Sequence, residues 1–361
     1  MKVREFLNTF LPYAWEPSSE ELAKQVGKST EEMIRLDTNT SPYPPLTWLT
    51  ELSKTLLSLN VNNYPDTSYL KLRSVIADYC DCNVDEILVS NGADEALSII
   101  TNTLIDSRSQ AIISTPTYSY FAKLVQISSG KIIDIRRKDD FSDDFDAIHS
   151  SIERDTRMVI LCSPNNPTGN VVDKSQLKEL LSLDFITVII DEAYFEYSGD
   201  TATDLMNSYE NLIVVRTLSK AFSLAGLRVG YALSSKKTIS LLNMVRPPNS
   251  VGIIAQQLGE IALQDLGWMR KNVTRILDEK NRVVEAINKL DDVEVIPSRA
   301  NFMLLRFREL SGSQAYAGLL DHGVVVRDVS DMDGLPNCIR FNVGTSKQND
   351  KLLDALTNIS T

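Results

Sequence analysis

The sequence is poor in the residues that mark metal-binding, disulfide-framed or membrane proteins. Only two histidines (His149, His322) and four cysteines (Cys80, Cys82, Cys162, Cys338) occur in 361 residues. Cys80 and Cys82, in YCDC, stand closer than a usual zinc pair, and no second Cys/His cluster exists, so no metal site is expected. Four cysteines make no disulfide framework at this length, and reduced thiols fit a cytoplasmic protein. No apolar run approaches a membrane span, and the N-terminal MKVREFLNTFLPYAW is too short in its apolar stretch for a secretory signal. Repeats, low-complexity tracts and Gly/Ser linkers are missing. Positive charge is in the minority: 37 Lys and Arg face 48 Asp and Glu, a net charge of −11. That balance argues against nucleic acid or an anionic membrane as partner, but a local cluster of arginines can still hold an anionic small molecule.

A hydrophobic fraction of 43% is ample for a large core, and the length suggests two domains. From about residue 70 to 235 short Ile/Val-rich runs alternate with helical patterns. EILVSNGADEALSIITNTL (86–104) reads as strand, turn and helix; QAIISTPTY (110–118), MVILCSPNN (158–166), ITVIIDEAY (186–194) and NLIVVRTLSKAF (211–222) read as buried strands that end in polar loops. This predicts an α/β domain with a mostly parallel sheet and its ligand at the strand C-terminal ends. One long helical stretch is expected over roughly 253–290. Beyond it, VEVIPSRANFMLLRF, GVVVRDV and CIRFNVG read as strands and 347–358 as a closing helix. The expected division is a large domain over 41–252 and a small α+β domain from 1–40 and 253–361, because segment 1–35 cannot bury a core of its own.

Polar residues gather where the strands end. In RTLSKAFSLAGLRVGY (216–231) Lys220 sits between hydroxyls and a helical run. An amine nucleophile needs a site that lowers its pKa, and Thr217, Ser219 and Arg228 together suit a phosphate. In VIIDEAYFEY (188–197) Asp191 closes a buried strand, where an acid needs a partner such as a protonated pyridine nitrogen; Tyr194 is placed to donate to a phenolic oxygen. No G-x-x-x-x-G-K-[ST] loop accompanies Asp191, which removes a nucleotide-hydrolase reading. CSPNNPTGN (162–170) is a loop stiffened by proline that can aim Asn166. SNGADEAL (90–97) places Gly92, Ala93 and Asp94 at a helix start suited to phosphate. Tyr118 in TPTYSYF (115–121) can stack on a flat ring. Each segment alone has a plainer reading: a surface lysine, a helix cap, an Asn-rich turn, a core tyrosine.

Together, and in this order, they resemble the fold-type I pyridoxal 5′-phosphate (PLP) aminotransferases, and among them the histidinol-phosphate aminotransferases. The similarity runs from DTNTSPYPP (37–45) through NYPD (63–66) and the five segments above to IRFNVGT (339–345). It implies a large α/β domain with a mostly parallel central sheet, a small α+β domain, and PLP as cofactor. It further implies Lys220 as the Schiff-base lysine and later the acid/base, Asp191 at the pyridine nitrogen, Asn166 and Tyr194 at the ring hydroxyl, and Tyr118 stacked on the ring. Ala93, Asp94, Thr217, Ser219 and Arg228 would hold the cofactor phosphate, with Tyr64 reaching the site of a second subunit in a homodimer. On the substrate side, Arg340 resembles the arginine that takes an α-carboxylate, Arg327 a second arginine of the histidinol-phosphate enzymes, and Tyr13 and Asn39 pocket residues. Two arginines suit a dianionic phosphate arm, and glutamate/2-oxoglutarate would serve as the other pair. Where the family usually has Asn-Glu-Asn this chain has Asn39-Thr40-Ser41. Alternatives on the same scaffold are an aromatic or broad-specificity aminotransferase and threonine-phosphate decarboxylase. A PLP-binding sensor fused to a DNA reader would need an added helix-turn-helix for which the stretch before the domain is too short.

Overall fold

The computed structural model describes residues 3–8, 10–13 and 15–359. The strands of the large sheet are β1 (Ile87–Ser90), β2 (Gln110–Thr115), β3 (Lys131–Arg136), β4 (Thr156–Cys162), β5 (Thr187–Asp191), β6 (Leu212–Thr217) and β7 (Gly230–Leu233), in the spatial order β1-β7-β6-β5-β4-β2-β3. β6, β5, β4, β2 and β3 are parallel neighbours, and β7 alone runs antiparallel between β1 and β6. Their continuous apolar runs follow from burial on both faces. Val159, Leu161, Val188 and Ile190 join one core, whereas the alternate residues Met158, Ile160, Ile189 and Ile213 join another. Helices such as Ala93–Leu104 and Lys236–Val245 cover the second core, and Leu70–Cys80, Lys174–Leu181 and Ile253–Gln264 cover the first.

This topology gathers the polar segments at one edge. The parallel strands deliver their C-termini (Thr115, Cys162, Asp191, Thr217) to the same side. Because β7 is reversed, its N-terminal approach, with Arg228, arrives at that side too, next to the turn after β1. The sequence patterns therefore meet in space although they are spread from residue 90 to residue 230.

The second sheet is antiparallel: β8 (Val293–Ile296), β9 (Phe302–Phe307), β10 (Arg327–Asp328) and β11 (Cys338–Asn342), in the order β10-β11-β9-β8. The fold is thus α/β with a mostly parallel central sheet and a separate small antiparallel sheet. GVVVRDV is not one strand: Val324–Val325 pairs in parallel with Ile34–Arg35, and the chain then changes sheets so that Arg327 pairs with β11. The N-terminal helix Ser19–Gln25 packs Leu22 and Ala23 on Leu320 and Val325. The long helical stretch is broken at Asp265 into Ile253–Gln264 and Leu266–Ile287. Asp265 caps the second helix through Trp268 N and accepts a 2.9 Å bond from Trp48 Nε1, so a side chain suited to capping overrides the helical period. Among the described residues no helix is long and apolar enough to cross a membrane.

Candidate active site

A cavity of about 220 Å³ opens at the C-terminal edge of the large sheet. It is lined by Tyr13, Asn39, Ala93, Asp94, Tyr118, Asn166, Asp191, Tyr194, Thr217, Ser219, Lys220, Arg228 and Arg340, all of them singled out in the sequence. Two of the expected residues stand elsewhere. Arg327 lines an adjoining cavity of about 790 Å³, and Tyr64 is 86% exposed on the surface.

Lys220 follows β6, and its Nζ donates to the Thr38 carbonyl at 2.9 Å. Burial, reinforced by Arg340, lowers its pKa to about 8, which makes it a competent nucleophile near neutral pH. Asp191 ends β5, is buried, and accepts one 3.0 Å bond from Ala193 N. Burial pushes its carboxyl up to about 7, against the pull of that backbone N–H. An acid held so high is short of a positive partner; a pyridinium nitrogen opposite it would supply one.

An anion cup forms where β1, β6 and β7 converge. Gly92 caps helix Ala93–Leu104 at φ +82, and a Cβ there would lie 2.5 Å from Arg228 Nη2, so a glycine is needed for the guanidinium to come down on the helix start. Arg228 donates to Asp94 Oδ2 at 3.1 Å and to Ser219 Oγ at 3.3 Å, and Thr217 Oγ1 donates to Ser219 Oγ at 2.9 Å. Helix start, two hydroxyls and a guanidinium are a donor set for a phosphate. Tyr118 closes this side, its hydroxyl donating to Asp94 Oδ1 at 3.2 Å.

On the opposite wall Asn39, left-handed at φ +54, donates from Nδ2 to Tyr194 Oη at 3.0 Å, while its buried Oδ1 has no hydrogen-bond partner among the described residues. Arg340 donates to Asn166 Oδ1 and to the Asp37 carbonyl, and its buried Nε has no partner among the described residues. Arg327, the second arginine expected on the substrate side, does not line this cavity. It lies directly opposite Arg340 in the β10–β11 register, but one strand farther out, and there it meets Glu16 at 3.0 Å. The outward step of one strand spacing carries it into the neighbouring cavity.

Sequence reasoning missed several residues. Thr38 and Asp37 act through backbone carbonyls, which carry no side-chain signature beyond their adjacency to Asn39. Glu16, on both cavity walls, was overlooked in LPYAWEP. The loops carrying Tyr118 and Asn166 are tied by the fully buried Asn165, which accepts from Thr117 Oγ1 at 2.7 Å and donates to the Pro116 carbonyl at 3.0 Å. That carbonyl also accepts from Arg137, itself in a buried 2.9 Å ion pair with Asp143. The adjacent Asn165–Asn166 pair in SPNNPTG was the available signal.

The family model described as aminotransferase class I and II matches residues 31–356. A histidinol-phosphate aminotransferase of Thermoanaerobacter pseudethanolicus is 34% identical over 327 residues, covering 90% of this chain and 92% of that protein. The crystal structure of the histidinol-phosphate aminotransferase from Clostridium acetobutylicum superposes with a TM-score of 0.84 at 26% identity, covering 91% of this chain and 99% of the other. That of the Sinorhizobium meliloti histidinol-phosphate aminotransferase in complex with pyridoxal 5′-phosphate gives 0.88 at 22% identity, covering 99% and 97%.

Proposed function

The chain belongs to the aminotransferase class I and II family and is a PLP-dependent aminotransferase, and on that premise we propose that its amino donor is histidinol phosphate and its acceptor 2-oxoglutarate. The observation that carries the substrate assignment is the facing pair Arg327 and Arg340, one at the cofactor cavity and the other in the roomier cavity beside it. A carboxylate needs one guanidinium; a phosphate dianion on a longer arm is better held by two. The shared identity with the Thermoanaerobacter enzyme supports the same reading.

PLP fits the residues present: the cup of Ala93, Asp94, Thr217, Ser219 and Arg228 suits its phosphate, Asp191 makes no ion pair among the described residues, and Lys220 is a low-pKa amine between them. When bound, the cofactor supplies the carbonyl that carries the amino group and an electron-withdrawing ring that stabilises charge left at the substrate Cα. Asp191 would stand as the anion for the cofactor's ring nitrogen. Asn166, through Nδ2, and Tyr194, through its hydroxyl, would hold the ring oxygen, and Asn39 orients Tyr194. Tyr118, on the cavity wall, would stack on the ring. Lys220 would take up on its Nζ the proton that leaves the substrate Cα; the Thr38 carbonyl marks a resting place for that Nζ. Arg340 receives the anionic end of glutamate or of the phosphorylated donor, and Tyr13 closes that side.

A homodimer completes the site in this reading. Leu57 (101%), Val61 (67%), Tyr64 (86%) and Met244 (81%) are exposed large apolar residues. Arg246 donates to the Thr67 carbonyl at 2.9 Å, which brings the two segments side by side. An apolar patch of that kind favours burial against a second subunit, with Tyr64 directed to the neighbouring cofactor phosphate. We assign the protein to the cytoplasm.

The test is a half-reaction panel. The PLP form is mixed in turn with histidinol phosphate, glutamate, phenylalanine, aspartate and threonine phosphate, while the cofactor absorbance is followed and products are identified. Histidinol phosphate should react with the highest kcat/KM among the donors other than glutamate. Preference for phenylalanine or aspartate would make this a general aminotransferase, and release of carbon dioxide from threonine phosphate would make it a decarboxylase.

A further inference from the structure

The two cavities share three lining residues, Tyr13, Glu16 and Asp37. Asp37 already has its charge matched, because Arg35 Nε donates to Oδ1 at 2.9 Å and Nη2 binds the other oxygen. Glu16 is different. Its single oxygen Oε1 accepts both from Arg327 Nη1 at 3.0 Å and from the Tyr13 hydroxyl at 3.4 Å. These are the donors that a phosphate arm would need in the outer cavity. The contact is long-range in sequence, 311 residues apart, and joins the N-terminal segment to β10. Both partners remain partly open to solvent, Arg327 at 26% and Glu16 at 30%, so water can replace the pair without unfolding anything. Arg340 and Arg327 are like charges in direct cross-strand register, an arrangement that favours an anion between or beside them.

We infer that Glu16 is the resident counter-ion of the substrate-arm subsite, and that a phosphorylated substrate takes the place of its carboxylate on Arg327 and Tyr13. The inference rests on the arm-binding reading of Arg327 given above. Glu16 then acts as a specificity-determining residue. It satisfies Arg327 while the subsite is empty, and it sets a threshold that a dianion on two arginines passes more readily than a neutral or apolar side chain. The exchange is favourable because the incoming group brings more charge and more acceptor oxygens than the carboxylate it displaces. A pair this open to solvent is weak enough to be broken by a ligand.

The experiment uses the PLP-loaded enzyme, so that the cofactor's own phosphate cup is filled, and inorganic phosphate as the probe, titrated by calorimetry. Glu16→Gln should bind phosphate roughly three- to tenfold more tightly than the native enzyme, the scale of one exposed ion pair plus relieved repulsion. In an Arg327→Ala background the same substitution should change phosphate binding less than about twofold. Unchanged or weaker binding in Glu16→Gln would overturn the inference, the latter by showing that Glu16 only orients Arg327. An equal gain without Arg327 would overturn it too, as would native and Glu16→Gln enzymes that both fail to bind phosphate. The donor panel separates the two readings. Tighter phosphate binding with no turnover of histidinol phosphate keeps the counter-ion and sinks the substrate. Turnover with unchanged phosphate binding does the reverse.

Discussion

Arg327 and Arg340 stand directly opposite each other across the antiparallel β10–β11 pair, with Glu16 on the outer guanidinium and Asn166 and the Asp37 carbonyl on the inner one. The geometry separates their tasks. Arg340 touches the cofactor cavity and should serve every substrate, whereas Arg327 is reached only by a longer arm. Arg327→Ala is expected to lower kcat/KM for the histidinol-phosphate half-reaction by roughly ten- to a hundredfold, about 1.5–3 kcal/mol for one charge-assisted contact, and to affect the glutamate half-reaction far less. Arg340→Ala should damage both. Equal losses for the two donors in Arg327→Ala would show a structural role for it.

Asp191 is held protonation-prone by burial, with its pKa pushed to about 7 until a cation faces it. Asp191→Asn keeps the shape and the contact with Ala193 but removes the negative charge that holds a ring nitrogen protonated. A rate loss on the order of 10³-fold or more, several kcal/mol, is expected in single-turnover kinetics with near-native circular dichroism. Activity within a few-fold of native would reduce Asp191 to a turn-capping acid.

Much of this site was legible because a parallel sheet sends its polar residues to one edge, so strand-end motifs such as DEAY and SPNNPTG announce themselves one by one. The cup around Arg228 was legible for a similar reason, since Gly92, Thr217 and Ser219 each sit at a strand terminus. What escaped was carried by backbone or by distant pairs. The Thr38 carbonyl that holds Lys220 has no side-chain signal, and Glu16 lies 311 residues from its partner. Arg137 sits in the charged run RRKDD, which reads as solvated, yet it is 3% exposed and braces the Pro116 carbonyl. Helix periodicity likewise hid the break at Asp265, because a single capping side chain decides it.

The lowered pKa of Lys220 makes cofactor uptake pH-dependent. In the cofactor-free protein its amine has a pKa of about 8 rather than 10.5, so the neutral, reactive form is the minority below pH 8 and dominates above it. The rate of PLP incorporation in stopped-flow absorbance should rise about tenfold per pH unit up to pH 7 and level off beyond about 8 to 9. A rise continuing past pH 10 would mean an ordinary, solvated lysine.

Tyr64 tests the assembly. In our reading it serves the partner's site, so Tyr64→Phe and Lys220→Ala, each severely impaired, should complement when mixed under conditions of subunit exchange. Heterodimers then hold one site with both defects and one with neither, and activity should return to a fraction of native. No recovery after demonstrated exchange would place Tyr64 in its own site or outside the reaction.

The most direct measurement is to reduce the PLP-loaded enzyme with borohydride and map the labelled peptide by mass spectrometry. The account predicts that the cofactor is fixed to the peptide carrying Lys220, and that Lys220→Ala still binds PLP through the phosphate cup and Asp191 but takes no label and loses nearly all transamination. Label on another lysine, or an enzyme that takes up no PLP, would contradict the site built around Lys220.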